Sequence, residues 1–290
     1  MEKKETLKEL ISAPEILVLP GAHEGISARI AAALGFKALF CSDFGCSAVV
    51  LGKPDYGIIS LTEMVDQIRA VASISNLPLL GDGGCGYGNT LNVFRTVQEY
   101  ERAGAAGMTL EDQIFPKRCQ HLEGKEVIDI DAMVEKIKAA LKARNSSDFV
   151  ISARTDSIQP LGLREAITRA NAFYEAGADL VVPAAIPSKV DIEEFVSKVQ
   201  APVMINYAEG GKTPPINARE LESMGIVAVT YALSPIFSAA KSIWEAFSRL
   251  KEEGSTESYL DHMMPFEEFT DLVGLNDLKD LEKEFVQKKK

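Results

Sequence analysis

The chain reads as an α/β protein built on one (β/α)8 barrel, and three observations lead there. A short apolar run, a loop and a longer segment of helical spacing recur eight times. Several of the longer segments stop at a glycine, in Leu34-Gly35, Ala103-Gly104, Ala176-Gly177 and Met224-Gly225, where a left-handed residue can end a helix before the next strand. Runs such as Leu180-Val181-Val182 and Val203-Met204-Ile205 are apolar without alternation, as strands covered on both faces must be. Alternating β and α units imply a parallel sheet, and eight of them match a closed barrel of roughly 250 residues. The rival architecture is an open doubly wound sheet.

In order, the predicted strands are Ile16–Ala22, Ala38–Asp43, Leu77–Gly83, Gly107–Gln113, Phe149–Asp156, Asp179–Ala185, Pro202–Ala208 and Ala228–Ser234. The segments between and after them, Gly25–Leu34, Leu61–Ser75, Thr90–Ala103, Asp131–Ala143, Leu163–Ala176, Asp191–Val199, Ala218–Met224 and Pro235–Lys251, predict helices. Beyond Lys251 the pattern changes to short amphipathic pieces such as Phe266-Glu267-Glu268-Phe269 and Leu278-Lys279-Asp280-Leu281. Residues 252–290 are therefore expected to be a C-terminal helical extension of a single domain spanning 1–290, packed on the barrel or on a neighbouring subunit.

The 290 residues are 46% hydrophobic and 25% charged, and a net charge of -11 argues against nucleic acid or an anionic membrane as a partner. Any anionic substrate must then be held by a local positive patch. The start, Met-Glu-Lys-Lys-Glu-Thr-Leu-Lys, carries no apolar secretion signal, and no apolar stretch is long enough to cross a bilayer, so a cytoplasmic location is expected. Cys41, Cys46, Cys85 and Cys119 form no Cys-x-x-Cys pair, which points to neither a zinc site nor a disulfide framework. Three of them are expected to be small buried hydrophobes.

Barrel enzymes keep their chemistry at the C-terminal ends of the strands, and the polar residues gather there. They are Ser42 and Asp43 after the second strand, Asp82 after the third, Glu111 and Asp112 on the fourth, Arg154 and Asp156 on the fifth, Asn206 and Glu209 after the seventh, and Ser234 on the eighth. The stretch Glu111–Lys125 is the densest in reactive groups. Asp82 and Glu111 suit a hard divalent cation such as Mg2+, although either could instead cap a helix or pair with Arg154. Arg154 offers a planar fork to a substrate carboxylate or phosphate, with an ion pair to Asp156 as the plain alternative. Cys119, flanked by Lys117, Arg118 and His121, is expected to be exposed, with its pKa lowered from about 8.5, as a nucleophile or general acid. Gly81-Asp82-Gly83-Gly84-Cys85-Gly86 fits a dinucleotide-binding pattern, but Tyr87-Gly88-Asn89 follows where a helix should begin. Gly210-Gly211-Lys212 reads either as a phosphate loop or as a turn.

Ordered across nearly the whole chain are Pro20-Gly21-Ala22, Leu51-Gly52-Lys53-Pro54-Asp55, Asp82 with Gly86-Tyr87-Gly88-Asn89, Glu111-Asp112-Gln113, Lys117-Arg118-Cys119-Gln120-His121, Ala153-Arg154-Thr155-Asp156, and Asn206 with Glu209-Gly210. Together they resemble the isocitrate lyase and phosphoenolpyruvate mutase superfamily, and the Lys-Arg-Cys-x-His loop is similar to that of its 2-methylisocitrate lyase-like branch. The resemblance implies a barrel dependent on Mg2+, with Mn2+ as a substitute, and a homo-oligomer, a dimer of dimers, that exchanges an outer helix between subunits. It implies carbon–carbon cleavage of a 2-hydroxy di- or tricarboxylate by retro-aldol chemistry, releasing a keto acid such as pyruvate. By the same resemblance Cys119, Arg154, Asp55, Lys117 and His121 are catalytic, and Asp82 and Glu111 are the metal residues. Ser42, Asp43, Phe44, Arg154, Asn206 and Gln120 would touch substrate. Cys119 would be the acid that protonates the enolate carbon, with Arg154 on the pyruvate-like part.

Departures from the pattern bear on the site. Phe40 stands where the lyases carry an aromatic hydroxyl, Asp43 and Phe44 where they carry glycine after the serine, Gly84 where a second metal carboxylate is expected, Gln120 at the glycine of the loop, and Ala184 at a glutamate. One acid gained beside the acids lost suggests that Asp43 compensates for Gly84 or Phe40. The alternatives are phosphonopyruvate or phosphoenolpyruvate chemistry, as a mutase or hydrolase, and a weakly active relative that binds a keto acid.

Overall fold

Branched and aliphatic side chains dominate the runs that become strands: β1 (Leu17–Pro20), β2 (Leu39–Cys41), β3 (Leu79–Asp82), β4 (Gly107–Glu111), β5 (Val150–Thr155), β6 (Leu180–Pro183), β7 (Met204–Tyr207) and β8 (Ala228–Tyr231). The structure, a computed structural model, describes residues 5–286. All pairings are parallel, in one ladder ordered β2-β3-β4-β5-β6 and another ordered β1-β8-β7. Single parallel bridges, Gly21 with Phe40 and Val181 with Val203, join the ladders on both sides. The hydrogen bonds there, Ala22 N–H to Phe40 O at 2.9 Å and Val181 N–H to Pro202 O at 3.0 Å, close the barrel and exclude the open sheet. Every residue of β2 to β6 is buried, the reason those runs lack alternation. Closure also needs Gly21, since a β-carbon there would stand 2.2 Å from the carbonyl oxygen of Ala232.

Around the strands lie α1 (Leu7–Ile11), α2 (Gly25–Ala33), α3 (Asp43–Cys46), α4 (Leu61–Ile74), α5 (Thr90–Ala103), α6 (Ile130–Ala143), α7 (Ile158–Leu161), α8 (Leu163–Glu175), α9 (Lys189–Lys198) and α10 (Ala218–Ser223). The glycine stops are as expected: Gly35, Gly104, Gly177 and Gly225 have φ of 79°, 99°, 107° and 87°. Ser60 and Asn89 open α4 and α5 with reciprocal capping boxes. Most expected strands run a residue or two long, and the eighth runs three residues long at its C-terminal end, because the ladder stops where the chain turns to present its polar rim. Ser234, expected on the eighth strand, instead begins α11 (Ser234–Glu253). The single-turn helices α1, α3 and α7, and a π-helical turn at Ser47–Leu51, are too short to impose a readable period.

The chain divides into two units, Met1–Pro235, which holds the barrel strands, and Ile236–Lys290. Within the second are most of α11, a 3-10 turn (Glu257–His262), α12 (Phe266–Leu272) and α13 (Leu275–Phe285). There Tyr259 donates to Glu245 Oε2 at 3.1 Å and stacks on His262 with ring centroids 4.9 Å apart. Trp244, Phe247, Phe266 and Phe285 of this unit are exposed. Among the described residues no helix is long and apolar enough to cross a membrane.

Candidate active site

Five carboxylates converge at the C-terminal ends of neighbouring strands. Asp82 and Glu111 are the last residues of β3 and β4, and Asp156 follows β5. Asp43 opens α3, started by Ser42, whose Oγ accepts the Phe44 N–H at 3.2 Å. Asp55 comes from the loop after the π-helical turn. All five are buried. An isolated buried carboxylate is costly, so each must be paired or must take up a proton.

Two cations do most of the pairing. Lys117, buried in the loop after β4, places its Nζ against Asp43 and 2.7 Å from both carboxylate oxygens of Asp55. Arg154 grips Asp156 with a bidentate pair, Nε to Oδ2 at 2.8 Å and Nη2 to Oδ1 at 3.0 Å, and turns Nη1 to Glu111 Oε2 at 3.1 Å. The sequence offered Arg154 as a substrate fork or an ion pair; the guanidinium is an ion pair facing the cavity. Lys125 adds a third positive charge 3.6 Å from Asp156.

Five negative charges meeting three positive ones set the local acidities. Burial raises Asp43, but Lys117, a hydrogen bond with Asp82 and Arg154 outweigh it and hold the carboxyl below its usual range. Asp55 is raised by burial and then by Asp43, and Asp82 is raised well above its usual value by the same two causes. Burial lifts Glu111 to about 7, even with Arg154 and Lys117 opposing it. Hard oxygen donors with surplus negative charge suit a hard cation that keeps several waters. Among the described residues no three His, Cys, Asp or Glu side chains form a ready-made cage, in keeping with Lys117 already occupying Asp43 and Asp55. Glu111 Oε2 is buried with no partner beyond its ion pair to Arg154. Asp82 and Glu111 thus fit an ion that takes one or two carboxylates and completes its shell with water or substrate.

The loop from Gln113 to Lys125 folds over these groups. Gln113 clamps it, accepting Arg118 N–H at 3.0 Å and donating to Arg118 O at 2.8 Å, while Cys119 N–H reaches Asp55 O at 3.3 Å. His121 Nδ1 accepts the Lys212 N–H at 3.1 Å, which ties the loop to the segment after β7. Gly210-Gly211-Lys212 is thereby a turn that anchors the lid. Below it lies a cavity of about 30 Å³, lined among others by Phe40, Ser42, Asp82, Cys119, Arg154 and Asn206.

The structure corrects one expectation. Cys119 is partly buried, and its thiol is pushed up, not down: burial dominates, and the backbone hydrogen bond at His121, Lys117 and Arg154 only partly offset it. Lys117 is committed to Asp43 and Asp55, and Arg118 turns to the Glu123 backbone oxygen and the Tyr56 ring, so the lid cations do not outweigh burial as their sequence positions suggested. His121 is lowered to about 4 by burial, Arg154 and Lys125, and stays neutral. Cys41, Cys46 and Cys85 are buried as expected.

Of the residues singled out in the sequence, Ser42, Asp43, Phe44, Asp55, Asp82, Cys119, Gln120, His121, Arg154 and Asn206 line this one cavity. Glu111 and Lys117 stand just behind it, through Arg154 and Asp55. Asn206 is braced by Thr230, which donates to its Oδ1 at 3.1 Å. Lys125 was missed as a participant: its ammonium holds the backbone oxygen of Gln120 and faces Asp156. Its place at the end of the charge-rich stretch was the available signal.

Residues 7–251 match the phosphoenolpyruvate phosphomutase family. The chain is 38% identical over 276 residues to the 2,3-dimethylmalate lyase of Eubacterium barkeri, covering 95% of this chain and 96% of that one. It is equally 38% identical over 276 residues to the 2-methylisocitrate lyase of Bacillus subtilis (strain 168), covering 95% and 91%. A solved oxaloacetate acetylhydrolase bound to the inhibitor 3,3-difluorooxalacetate superposes with a TM-score of 0.91 at 36% identity, covering 97% of this chain and 96% of that one.

Proposed function

The chain belongs to the phosphoenolpyruvate phosphomutase family, within the isocitrate lyase and phosphoenolpyruvate mutase superfamily, and on that premise we propose that it is a carbon–carbon lyase. Its substrate is a 2-hydroxy di- or tricarboxylate, cleaved by retro-aldol chemistry to a keto acid and a second carboxylic acid. The observation that carries this reading is the convergence of Cys119 and Arg154 on one small cavity rimmed by carboxylates. Lyases of both substrate types among its relatives support it.

In this reading the cofactor is Mg2+, held by Asp82 and Glu111 with Asp43 and Asp55 positioned to orient its waters. When bound, the ion supplies positive charge beside the oxygen on which negative charge develops during cleavage. The chain's own residues do the rest, beginning with a rim carboxylate that takes the proton of the 2-hydroxyl as the carbon–carbon bond breaks. Arg154, fixed by Asp156, holds the keto-acid half. Ser42 and the turn it caps, with Phe44 and Asn206, hold the other carboxylate. Lys117 keeps Asp55 and Asp43 ionised and in place. The lid, latched by His121, excludes water from the carbanion. Cys119, kept as a neutral thiol by its raised pKa, carries the proton that the departing enolate carbon needs. A thiol that retains its proton until a carbanion forms suits an acid better than a nucleophile.

The proposal extends to assembly and location. Residues 1–290 act as one catalytic chain whose extension, 252–290, packs on a second subunit within a dimer of dimers; the exposed Phe266 and Phe285 support a covered face. Four free cysteines suit a reducing compartment such as the cytoplasm.

The test is incubation with Mg2+ and a panel of substituted malates, isocitrates and phosphonopyruvate, following keto acid with and without chelator. Release from a malate or isocitrate that chelator and Cys119→Ser both abolish supports the lyase. Phosphate release from phosphonopyruvate, its conversion to phosphoenolpyruvate, or metal-dependent binding without turnover would each replace it.

A further inference from the structure

Gln120 sits in the lid between the proposed acid and the His121 latch, 7% exposed, with its side chain in the cavity wall. It is fixed on several sides. The Lys125 ammonium holds its backbone oxygen, and its Nε2 donates to Asn206 O at 3.3 Å and lies 3.0 Å from His121 Nε2. Its Oε1 is buried without a partner. The carboxamide is uncharged whichever way its two ends are assigned.

The surrounding wall decides what the amide can face. Phe40, Phe44, Ala208 and Leu233 contribute apolar surface. Arg154 is the one lysine or arginine among the described residues lining the cavity, and it is committed to Asp156 and Glu111. Three carboxylates, Asp43, Asp55 and Asp82, line the same space. With the loop in this position the cavity holds about 30 Å³, room for little more than a water molecule. Substrate must therefore enter with the lid open, and the Gln120 side chain closes back over it.

We infer that Gln120 determines specificity by occupying the space beyond Cys119, so that the site takes 2-hydroxy dicarboxylates with small neutral substituents and rejects a third carboxylate arm. The arm of a tricarboxylate would need the volume that the Gln120 side chain fills, and it would meet an amide, aromatic rings and three acids in place of a free cation. A methyl or hydroxyl substituent needs neither the space nor the charge. This rests on the lyase reading and narrows its substrate class.

The experiment compares kcat/KM for 2,3-dimethylmalate and 2-methylisocitrate in the wild-type protein, in Gln120→Ala and in Gln120→Gly. The alanine variant removes the side chain while keeping an ordinary backbone in the lid. The expected result is a wild-type preference for the dimethylmalate, with the tricarboxylate-to-dicarboxylate ratio rising about 10-fold or more in both variants. An unchanged ratio in both, or a wild-type protein that prefers the tricarboxylate, overturns the inference and leaves the lyase reading standing. Failure of all three proteins to release keto acid from either compound overturns the lyase reading, and the inference falls with it.

Discussion

The Oδ2 of Asp43 lies 3.8 Å from the point that a β-carbon on Gly84 would occupy. A carboxylate delivered from the turn after β2 therefore reaches the space that a side chain at position 84 would enter from β3. This is the geometry that the compensation idea requires, and it favours Gly84 over Phe40 as the position compensated.

Asp43→Asn is expected to weaken Mn2+ binding, read by calorimetry or electron paramagnetic resonance, about 10-fold or more, the usual effect of losing a group that orients a metal's ligands. The exchange Asp43→Gly with Gly84→Asp should recover most of that loss. Position 84 has φ 47°, a conformation that Asp tolerates better than most residues. Wild-type Mn2+ affinity in Asp43→Asn would show that Asp43 has no share in the site.

Lys117→Met removes the ammonium that Asp43 and Asp55 share. Breaking a buried pair from one side costs about 3–5 kcal/mol, and urea denaturation at pH 7 should read a loss of that size. The loss should shrink toward pH 5, because acids whose pKa is already raised, such as Asp55, take up a proton more readily. A loss under about 1 kcal/mol at pH 7 would mean the ammonium contributes no more than a surface pair.

Cys119 should resist alkylation at neutral pH. Its thiol is raised above the ordinary value, so the thiolate that reacts with iodoacetamide is scarce at neutral pH. Mass spectrometry of the modified peptide should show the rate climbing through pH 9 without a plateau. A plateau below pH 8 would mean that the lid cations do activate the thiol.

These corrections mark where the sequence stopped being legible. The barrel could be read because its causes are local: the run Leu180-Val181-Val182 is buried on both faces, and Gly104 at φ 99° ends a helix where it stands. The strand-end rule also gathered most of the site, from Ser42 to Asn206. The pairings were hidden because they join distant positions. Lys117 meets Asp55 across 62 residues, and its pull on Cys119 two residues on is outweighed by burial that appears only once the lid is folded. Lys125 was overlooked for the same reason, since its partners Asp156 and the Gln120 carbonyl are known only once the lid is folded.

His23, buried against Gly45, is lowered to about 4, chiefly by burial, with the Ala232 backbone and Glu24 only partly opposing it. The unfolded chain, with its histidine near 6.5, binds more protons than the folded one between pH 4 and 6.5, so this group makes stability rise with pH across that window. The full contribution is about 3 kcal/mol. His23→Phe keeps a ring against Gly45 but cannot titrate. The wild-type minus variant difference in unfolding free energy should therefore increase by about that amount from pH 4 to pH 7. A difference that does not change with pH would show that the ring is not held neutral.

The central claim, retro-aldol cleavage with Cys119 supplying the proton, is tested most directly by running the reaction in D2O. With Mg2+ and a substituted malate, mass spectrometry should find a keto acid and a carboxylic acid carrying one solvent deuterium at the carbon released by cleavage, and Cys119→Ser should form neither. Keto acid formed at the wild-type rate by Cys119→Ser, or an acid product without solvent deuterium, would contradict it.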